Sequence, residues 1–379
     1  MKVLHVITGL DAGGAELQLA MLVQRTRHDP DVVALYNAGP VADMIRDAGV
    51  NVIDLGMTKN TEVSALLRLR RIIRSGRYDV VHAHLYRSQI YARPAARLAG
   101  TPVVLTTEHS IGETHIERRK MTAGVRALYL ASELFSDGTI AVSDAVRERL
   151  VRWGVPAGKI TVIPNGLDVD RFAFDPDTRD RVRAQFGIAP GTYVIGALGR
   201  LDPMKRVDLT IQAAAPMLGE RCKILVIGGG EDEARLRTAA DEFGVTDHVI
   251  FGGYHSDTER MLSAFDLCVA ASAQETFGLS VLEALASGLP VLYTTCPALD
   301  GIQTEWARRV EGTAAALGAE IRKEVEAGPR PRTPDAKVFE RYGIAAIAAT
   351  VDDLYDRLAD GRLRRGRQLQ GAGQRRMSG

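Results

Sequence analysis

The sequence is poor in the features that mark several large classes of protein. Its three cysteines, Cys222, Cys268 and Cys296, are widely spaced and form no Cys-x-x-Cys pair or Cys/His cluster, so neither a disulfide framework nor a zinc site is predicted. The formal net charge is +1, without the basic excess typical of a dedicated nucleic-acid binder. No apolar run approaches the roughly 20 residues that a membrane-spanning helix needs. We therefore expect a globular, cytoplasmic protein.

Short, nearly all-apolar runs alternate with helical patterns along the chain, which is typical of parallel sheets covered by helices on both faces. With 379 residues, of which 46% are hydrophobic, the chain is long enough for two such units. A turn cluster at residues 164–172 separates two series of strands. The sequence thus predicts an α/β protein with two Rossmann-like, doubly wound domains that face each other across a cleft, where ligands bind at the carboxyl ends of strands.

The boundaries follow from the same patterns. The predicted strands are residues 3–8, 32–36, 52–55, 80–83, 103–107, 139–142 and 160–163, and then 193–198, 224–227, 249–251, 267–270 and 291–294. Residues 308–328 are predicted to be helical. We expect domains at residues 1–166 and 167–340, a final helix at residues 341–360, and a basic, disordered tail at residues 361–379.

One segment, residues 272–291, concentrates the candidate chemistry. Glu275 and Gly278 lie between a predicted buried strand and a predicted helix, whose amino end favours an anion such as phosphate. Glu283 lies inside that helix. Two carboxylates on either side of an anion-binding helix start suit the sugar, the diphosphate and the ribose of a sugar nucleotide.

Two further segments follow the first strand of each predicted domain. Arg200 and Lys205 share a loop, where a forked guanidinium and an ammonium together suit a diphosphate. Gly13 and Gly14 let the backbone approach a ligand closely at a helix start. The absence of a Gly-x-Gly-x-x-Gly fingerprint counts against an NAD-dependent oxidoreductase.

Polar side chains also end two strands of the first domain. His82 and His84 form a His-x-His pair, and Glu108 precedes His109. The His-x-His pair could hold a metal, but residues of this kind are more often hydrogen-bonding groups, and no carboxylate partner pattern follows. We therefore predict no metal site.

Together these segments resemble the signature of the retaining glycosyltransferase family 4, which has the GT-B fold. The pattern Glu275-x-Phe-Gly-Leu continues to Glu283-Ala-x-Ala-x-Gly-x-Pro-Val, with seven residues between the two glutamates. Supporting matches occur in the family's order, at Gly13-Gly-Ala-Glu16, Val142-Ser143, Ile163-Pro-Asn-Gly-Leu-Asp168 and Gly199-Arg-Leu…Lys205-Arg. They cover roughly residues 1–295.

The resemblance implies a hexosyltransferase that takes a UDP-linked or other nucleotide sugar as co-substrate and needs no metal. It implies a front-face mechanism and a hydroxyl acceptor on an envelope glycan, a glycolipid or a secondary metabolite, with the first domain on the acceptor side and the second binding the nucleotide sugar. The implied residues are Arg200, Lys205, Glu275 and His109 for catalysis; Gly13, Gly14, Tyr254, Phe277, Gly278, Leu279 and Glu283 for the donor; and Glu16, His84, Glu108 and Ser143 on the acceptor side.

The sequence departs from the family pattern after Val291, where Thr294-Thr-Cys-Pro replaces the usual glycine-rich segment. Two alternative functions stay open, a GT-B nucleotide-sugar 2-epimerase and a non-catalytic sugar-nucleotide-binding protein. The acceptor could be a small molecule or lipid-linked, and no nucleic-acid partner is expected. The cations Arg118, Arg119 and Lys120 and the basic tail also leave open a peripheral contact with the inner membrane surface.

Overall fold

The computed structural model describes residues 1–11, 13–117 and 119–377, with side chains up to residue 362. The chain forms two compact units, Met1–Gly166 together with the segment that begins at Ile344, and Leu167–Gly343. Arg118, one cation of the predicted basic patch, lies outside the described residues. Among the described residues, none of the helices combines the length and the apolar character that crossing a bilayer requires.

The first unit is built on a parallel sheet of seven strands. Its strands read as apolar runs because helices cover both faces, and β4 and β5 are buried along their whole length. The bounds are β1 Lys2–Ile7, β2 Asp29–Ala34, β3 Asn51–Asp54, β4 Val80–His84, β5 Val103–Glu108, β6 His115–Ile116, β7 Arg119–Lys120, β8 Gly138–Ala141 and β9 Ile160–Val162. The sheet order is β3-β2-β1-β4-β5-β8-β9, and β6 and β7 form a separate antiparallel pair.

Six helices connect these strands. They are α1 Gly14–Val23, α2 Pro40–Asp47, α3 Val63–Gly76, α4 Tyr86–Ala99, α5 Ala123–Glu133 and α6 Asp144–Trp153. Two of them, α5 and α6, begin at a side-chain cap; the Ser143 hydroxyl, for example, accepts a hydrogen bond from the Val146 amide at the start of α6.

The second unit is built on a parallel sheet of six strands. Its strands are β10 Tyr193–Leu198, β11 Cys222–Ile227, β12 Val249–Gly253, β13 Leu267–Ala270, β14 Val291–Tyr293 and β15 Ala307–Arg309, in the order β12-β11-β10-β13-β14-β15. Its helices are α7 Pro176–Gln185, α8 Val207–Ala214, α9 Glu233–Glu242, α10 Thr258–Ser263, α11 Leu279–Ala286, α12 Ala314–Ala327 and α13 Ala336–Tyr342. The two Rossmann-like parallel sheets predicted from the sequence are thereby confirmed.

The last helix, α14 Ile344–Met377, returns to the first unit. Its residues Ile347, Val351 and Tyr355 join the core formed by Val3 and Val80. The sequence predicted that this helix would end at residue 360 and that a disordered tail would follow. That prediction is wrong for residues up to 377, because the segment is rich in arginine and glutamine, which favour helices, and has no proline to end the helix, although it contains four glycines. Residues 378 and 379 lie outside the described residues.

A second correction concerns residues 308–328, which were predicted to be helical throughout. The segment begins instead with the edge strand β15, paired to β14, and only then enters α12. Arg308 and Arg309 in this strand are exposed, so no apolar run marks it. Exposed charge is typical of edge strands, which it protects from pairing with other chains.

Candidate functional site

The loop after β10 carries the two predicted diphosphate-binding cations. Gly199, which follows the strand, has a φ of 138°, a backbone conformation that side chains rarely adopt. Asp202 organises the loop: one carboxylate oxygen accepts from the Met204 amide at 2.9 Å, and the other accepts from Arg200 Nε at 3.0 Å. Arg200 therefore stays exposed with its guanidinium anchored at one edge.

Lys205 and Glu275 are brought together by this loop and the loop after β13. Lys205 Nζ lies 2.5 Å from Glu275 Oε1, which also accepts from the Ser272 hydroxyl at 2.8 Å. A backbone hydrogen bond from Ala273 to Met204, 2.8 Å long, ties the two loops to each other. A cation and a carboxylate that lie 70 positions apart thus form one partly buried pair at the carboxyl edge of the sheet.

The start of α11 is shaped by Gly278. Its φ is 104°, and a side chain there would overlap the Cys296 sulfur, since an added Cβ would lie 2.5 Å from it. The Phe277 side chain is buried and meets Tyr342 edge to face. Leu279 opens the helix directly after Gly278, and Ser280 in the first turn lines the same pocket as Arg200 and Lys205.

The segment that departs from the family pattern supports this helix start. The Thr294 hydroxyl donates to the Ser272 carbonyl at 2.6 Å, and the Ala298 amide donates to the Phe277 carbonyl at 2.9 Å. Cys296 packs against Gly278, and burial raises the pKa of its thiol to about 12. A cysteine–proline turn thus contacts the Phe277–Gly278 backbone and fixes its position.

Replacing Gly278 by alanine is expected to weaken nucleotide binding by about tenfold or more. The reason is twofold: the left-handed backbone becomes strained, and the new Cβ overlaps Cys296. Adding Cys296→Ala relieves the overlap but leaves the strain, so it should restore only part of the affinity. The measurement is a double-mutant cycle on nucleotide affinity; full additivity of the two substitutions would contradict the contact.

Glu283 lies on α11, partly buried and about one turn into the helix. Desolvation raises the pKa of its carboxyl to about 7, partly offset by the positive charge of Arg171. Arg171 itself is held 3.0 Å from Glu259. The carboxyl therefore changes its charge near neutral pH, unlike an ordinary surface glutamate.

A pocket lies at the carboxyl ends of β10 and β13, and Arg200, Lys205, Ser272 and Ser280 contribute to its lining. Tyr254, predicted near the base, follows β12 and is exposed.

One part of this edge of the sheet was missed by the sequence analysis. Gly228 and Gly230 pack against the backbone of the Arg200 loop so closely that side chains there would overlap it. The run of three glycines after an apolar strand was the available signal.

In the first unit, the predicted glycine-rich turn precedes α1. Gly13 has an extended backbone and caps the helix without a side chain, and Gly14 is exposed at its first position. The Glu16 carboxylate folds back over Gly13, where an added Cβ would overlap it. Such a placement is typical of a carboxylate in the first helical turn, near the backbone N–H groups.

The other polar residues predicted in this unit are mostly buried. The Glu108 side chain is completely buried, accepts hydrogen bonds from the amide and hydroxyl of Ser110, and contacts Gln89; burial raises the pKa of its carboxyl. Ser143 caps α6. His84 is 2% exposed and has a histidine on each side. These three side chains, all predicted on the acceptor side, thus have hydrogen-bond partners within the first unit.

A group of histidines surrounds His84. His5 lies on β1 opposite His82 in the parallel register, and its Nδ1 is 3.1 Å from His84 Nε2. His84 Nδ1 lies 3.3 Å from His109 Nε2. Of these, His5 was missed by the sequence analysis, because no local pattern shows which strand will lie beside β4.

Most of the chain matches known protein families. Residues 12–171 match the family model described as Glycosyltransferase Family 4, and residues 178–327 match the model described as Glycosyl transferases group 1. The sequence is 27% identical over 266 residues to a UDP-Gal:alpha-D-GlcNAc-diphosphoundecaprenol alpha-1,3-galactosyltransferase of Escherichia coli, which covers 67% of this chain and 68% of that protein. It is 28% identical over 348 residues to a D-inositol 3-phosphate glycosyltransferase of Salinispora arenicola, covering 80% of this chain and 75% of that protein.

Among solved structures, Anabaena HepE in complex with UDP-glucose matches with a TM-score of 0.83 at 21% identity, over 94% of this chain and 99% of that one. At this identity the likeness establishes the fold. The two family models, the related enzymes and the two Rossmann-like sheets agree with the resemblance found in the sequence. The chain belongs to the family 4 glycosyltransferases with the GT-B fold, and it is a glycosyltransferase.

Proposed function

We propose that this enzyme is a retaining, metal-independent transferase that moves a hexosyl group from a UDP-sugar to a hydroxyl acceptor. The observation that carries the proposal is the Lys205–Glu275 pair, 2.5 Å long, beside Arg200 and the amino end of α11. It supports the proposal because two cations and a helix dipole suit a diphosphate, and the carboxylate beside them suits sugar hydroxyls.

The choice of UDP and of a hexose is supported by the relatives. The name of the Escherichia coli relative specifies UDP-Gal, and the Anabaena neighbour was solved with UDP-glucose. The acceptor class follows in the same way. One relative acts on a diphosphoundecaprenol-linked sugar and the other on inositol 3-phosphate. We propose an acceptor from an envelope glycan, a glycolipid or a related small molecule.

The proposed mechanism is departure and attack on the same face of the sugar. A double displacement would need a carboxylate nucleophile close to the anomeric carbon. Glu275 is held by Lys205 and Ser272, an arrangement that suits a ligand for sugar hydroxyls better. In the front-face route the bond from the anomeric carbon to the diphosphate breaks, the acceptor oxygen forms the new bond, and the leaving diphosphate oxygen takes the acceptor's proton.

Catalysis then depends on stabilising the charge that develops on the diphosphate. Arg200 and Lys205 supply two positive charges, and the first amides of α11 supply hydrogen-bond donors. We propose that these groups do the work that a divalent cation does in other transferases.

A binding panel tests this proposal. UDP, GDP, ADP and dTDP, each with and without EDTA, are compared by thermal shift and calorimetry. We expect UDP to bind most tightly and to stabilise the protein by about 2.7 kcal/mol at a concentration of 100 Kd, with no effect of EDTA. Preference for another base would contradict the UDP assignment, and loss of binding in EDTA would contradict metal independence.

The affinity for UDP is expected to fall as the pH drops below about 7. By the family resemblance Glu283 accepts hydrogen bonds from the ribose hydroxyls, which favours its ionised form, whereas burial sets its pKa at about 7 in the unliganded protein. Below that pH each binding event must release a proton, so Kd should approach a tenfold rise per pH unit. Calorimetry in buffers of different ionisation enthalpy measures the released proton.

Glu283→Gln is the matched control, because it keeps the shape and removes the titration. It should bind UDP more weakly at pH 8 and without this pH dependence. The direction in which its stability changes with pH, relative to the natural protein, can be predicted as well. The native Glu283 keeps a proton that the unfolded chain releases above about 4.5, so its contribution to stability is present at low pH and is lost as the pH rises through 7. The glutamine variant should gain relative stability between pH 5 and pH 8; an unchanged difference would contradict the raised pKa.

A further inference from the structure

Three histidines of the first unit lie end to end. His84 Nε2 is 3.1 Å from His5 Nδ1, and His84 Nδ1 is 3.3 Å from His109 Nε2. The ring centroids are 5.3 and 5.6 Å apart and the ring planes are tilted by only 26° and 28°. The centroid separations exceed the N···N distances by almost two ring radii, the largest difference that is geometrically possible, so the nitrogens lie close to the lines between the ring centres. The contacts are therefore in-plane hydrogen bonds rather than stacking.

The row runs from the core to the edge of the sheet. His5 is 1% exposed and His84 is 2% exposed, whereas His109, after the end of β5, is partly exposed. Burial lowers the pKa of His5 to about 3 and that of His109 to about 4, and it keeps His84 well below its ordinary value. All three rings are neutral at physiological pH, so each carries one N–H and one bare nitrogen.

This geometry restricts the tautomers. Every link joins an Nδ1 atom to an Nε2 atom, and each link needs one donor and one acceptor. If His109 carries its proton on Nε2, then His84 and His5 must also carry theirs on Nε2. If His109 carries it on Nδ1, the other two must follow. The three rings share one tautomer, and that tautomer decides whether the remaining nitrogen of His109 accepts or donates a hydrogen bond.

We infer that His5 and His84 are positioning residues that fix the hydrogen-bonding role of His109. The Nε2–H form is the one that a neutral histidine side chain intrinsically favours, and here all three rings can adopt it at once. In that form His109 Nδ1 is an acceptor, suited to a hydroxyl group of a ligand. His84 acts on the ligand only through His109.

A competing use of the same residues is a metal site. The nitrogens of His5, His82 and His84 lie within 4.8 Å of one another. Both nitrogens of His82, however, already have partners, the Tyr355 hydroxyl at 2.6 Å and the Thr107 hydroxyl at 2.7 Å. A dication here would have to break one of these bonds in a fully buried place, which makes the hydrogen-bonded row the better account.

The test is nitrogen NMR on protein labelled with ¹⁵N-histidine, which separates protonated from bare ring nitrogens; single substitutions assign the signals. We expect His5, His84 and His109 all as Nε2–H at pH 7, and less than one tenth of an equivalent of zinc, nickel or cobalt by elemental analysis. Different tautomers among the three rings, a doubly protonated ring, or stoichiometric metal would overturn the inference.

Variants test the coupling. His5→Leu leaves the buried Nε2–H of His84 without an acceptor, and an orphaned buried donor is tolerated less well than an orphaned acceptor. The row should therefore invert and move the proton of His109 to Nδ1, although His5 does not touch His109. His82→Gln, on the same strand and equally buried, should leave His109 as Nε2–H. An unchanged His109 in His5→Leu would contradict the inference.

The consequence for activity rests on the proposed transferase function, whereas the prediction about the tautomers does not. In His5→Leu the acceptor at His109 Nδ1 becomes a donor, so kcat/KM for sugar transfer should fall by about 3- to 10-fold, the equivalent of one hydrogen bond. If the tautomer inverts and transfer is unaffected, the row is real but His109 takes no part in transfer. If the tautomer stays and transfer falls, the row is not the cause.

Discussion

Replacing Lys205 by alanine is expected to lower kcat for sugar transfer by about 10²-fold or more, and replacing Arg200 to lower it strongly as well, but less. The leaving diphosphate gains negative charge in the transition state, and both cations follow β10 where that charge would develop. Lys205 should cost more, because it is partly buried and also anchors Glu275 at 2.5 Å. Arg200 is half exposed and is screened more strongly by solvent. Steady-state kinetics of UDP release measure both variants.

The matched control is Lys223→Ala. It removes the same charge from the same unit, but Lys223 lies at the amino end of β11, where its ammonium donates to the Asp247 carbonyl. This variant should keep kcat within about twofold. The double variant Arg200→Ala/Lys205→Ala should retain almost no turnover. Full activity in that double variant would contradict the proposed stabilisation of the diphosphate.

Replacing Asp266 by alanine is expected to destabilise the second unit by about 3–5 kcal/mol, the usual cost of removing one partner from a buried ion pair. Asp266 directly precedes β13 and is 4% exposed. It accepts from Arg179 at 2.5 Å, from Arg183 at 2.6 Å and from the Val194 amide at 2.8 Å. Its loss leaves the buried Arg183 without a counter-charge and β10 without a hydrogen-bond acceptor at its start.

Urea unfolding followed by circular dichroism measures this loss, with the slope of the transition checked for two-state behaviour. The control is Asp257→Ala, which breaks an exposed pair with Arg260 and should cost less than about 1 kcal/mol. A loss as small as that in Asp266→Ala would contradict the role given to this carboxylate. Because the site lies at the other end of β13, we also expect Asp266→Ala to retain UDP binding at low temperature.

Much of the architecture could be predicted from local patterns. All twelve predicted strands occur, because most of them are apolar runs that are buried within the sheets. The errors have local causes as well. The edge strand β15 contains two exposed arginines and no apolar run, and the basic continuation of α14 has the charge and the glycines of a tail but no proline to end the helix.

The residues proposed for the candidate site could be chosen from the sequence, but their contacts could not. The segment from Glu275 to Glu283 could be recognised by its spacing, since a strand end, a glycine and a helix start are close in sequence. The pairing of Lys205 with Glu275 spans 70 positions and depends on β10 lying beside β13. The histidine row depends in the same way on β1 lying between β2 and β4. Long-range register of this kind leaves no mark in a single sequence.

Burial separates two predictions that looked alike. His84 and His109 were predicted for the same reason, because both are polar residues near the end of a strand. The sequence predicts that both lie beside a ligand. In the structure His84 has a histidine on each side and is almost fully buried, whereas His109 is the outermost ring. The difference arises because His84 is the last residue of β4, which is buried to its end, whereas His109 lies one residue beyond the end of β5.

The measurement that tests the central claim most directly is a proton NMR time course of the enzyme with UDP-glucose, UDP-galactose and UDP-N-acetylglucosamine. A retaining transferase without its acceptor should slowly release UDP, and the first sugar to appear should have the α configuration of the donor, before mutarotation. The rate should fall about 10²-fold in Lys205→Ala. A β sugar appearing first would contradict retention, a UDP-sugar epimerised at C2 would show a 2-epimerase, and bound but unchanged UDP-sugars throughout would show a binding protein without transfer.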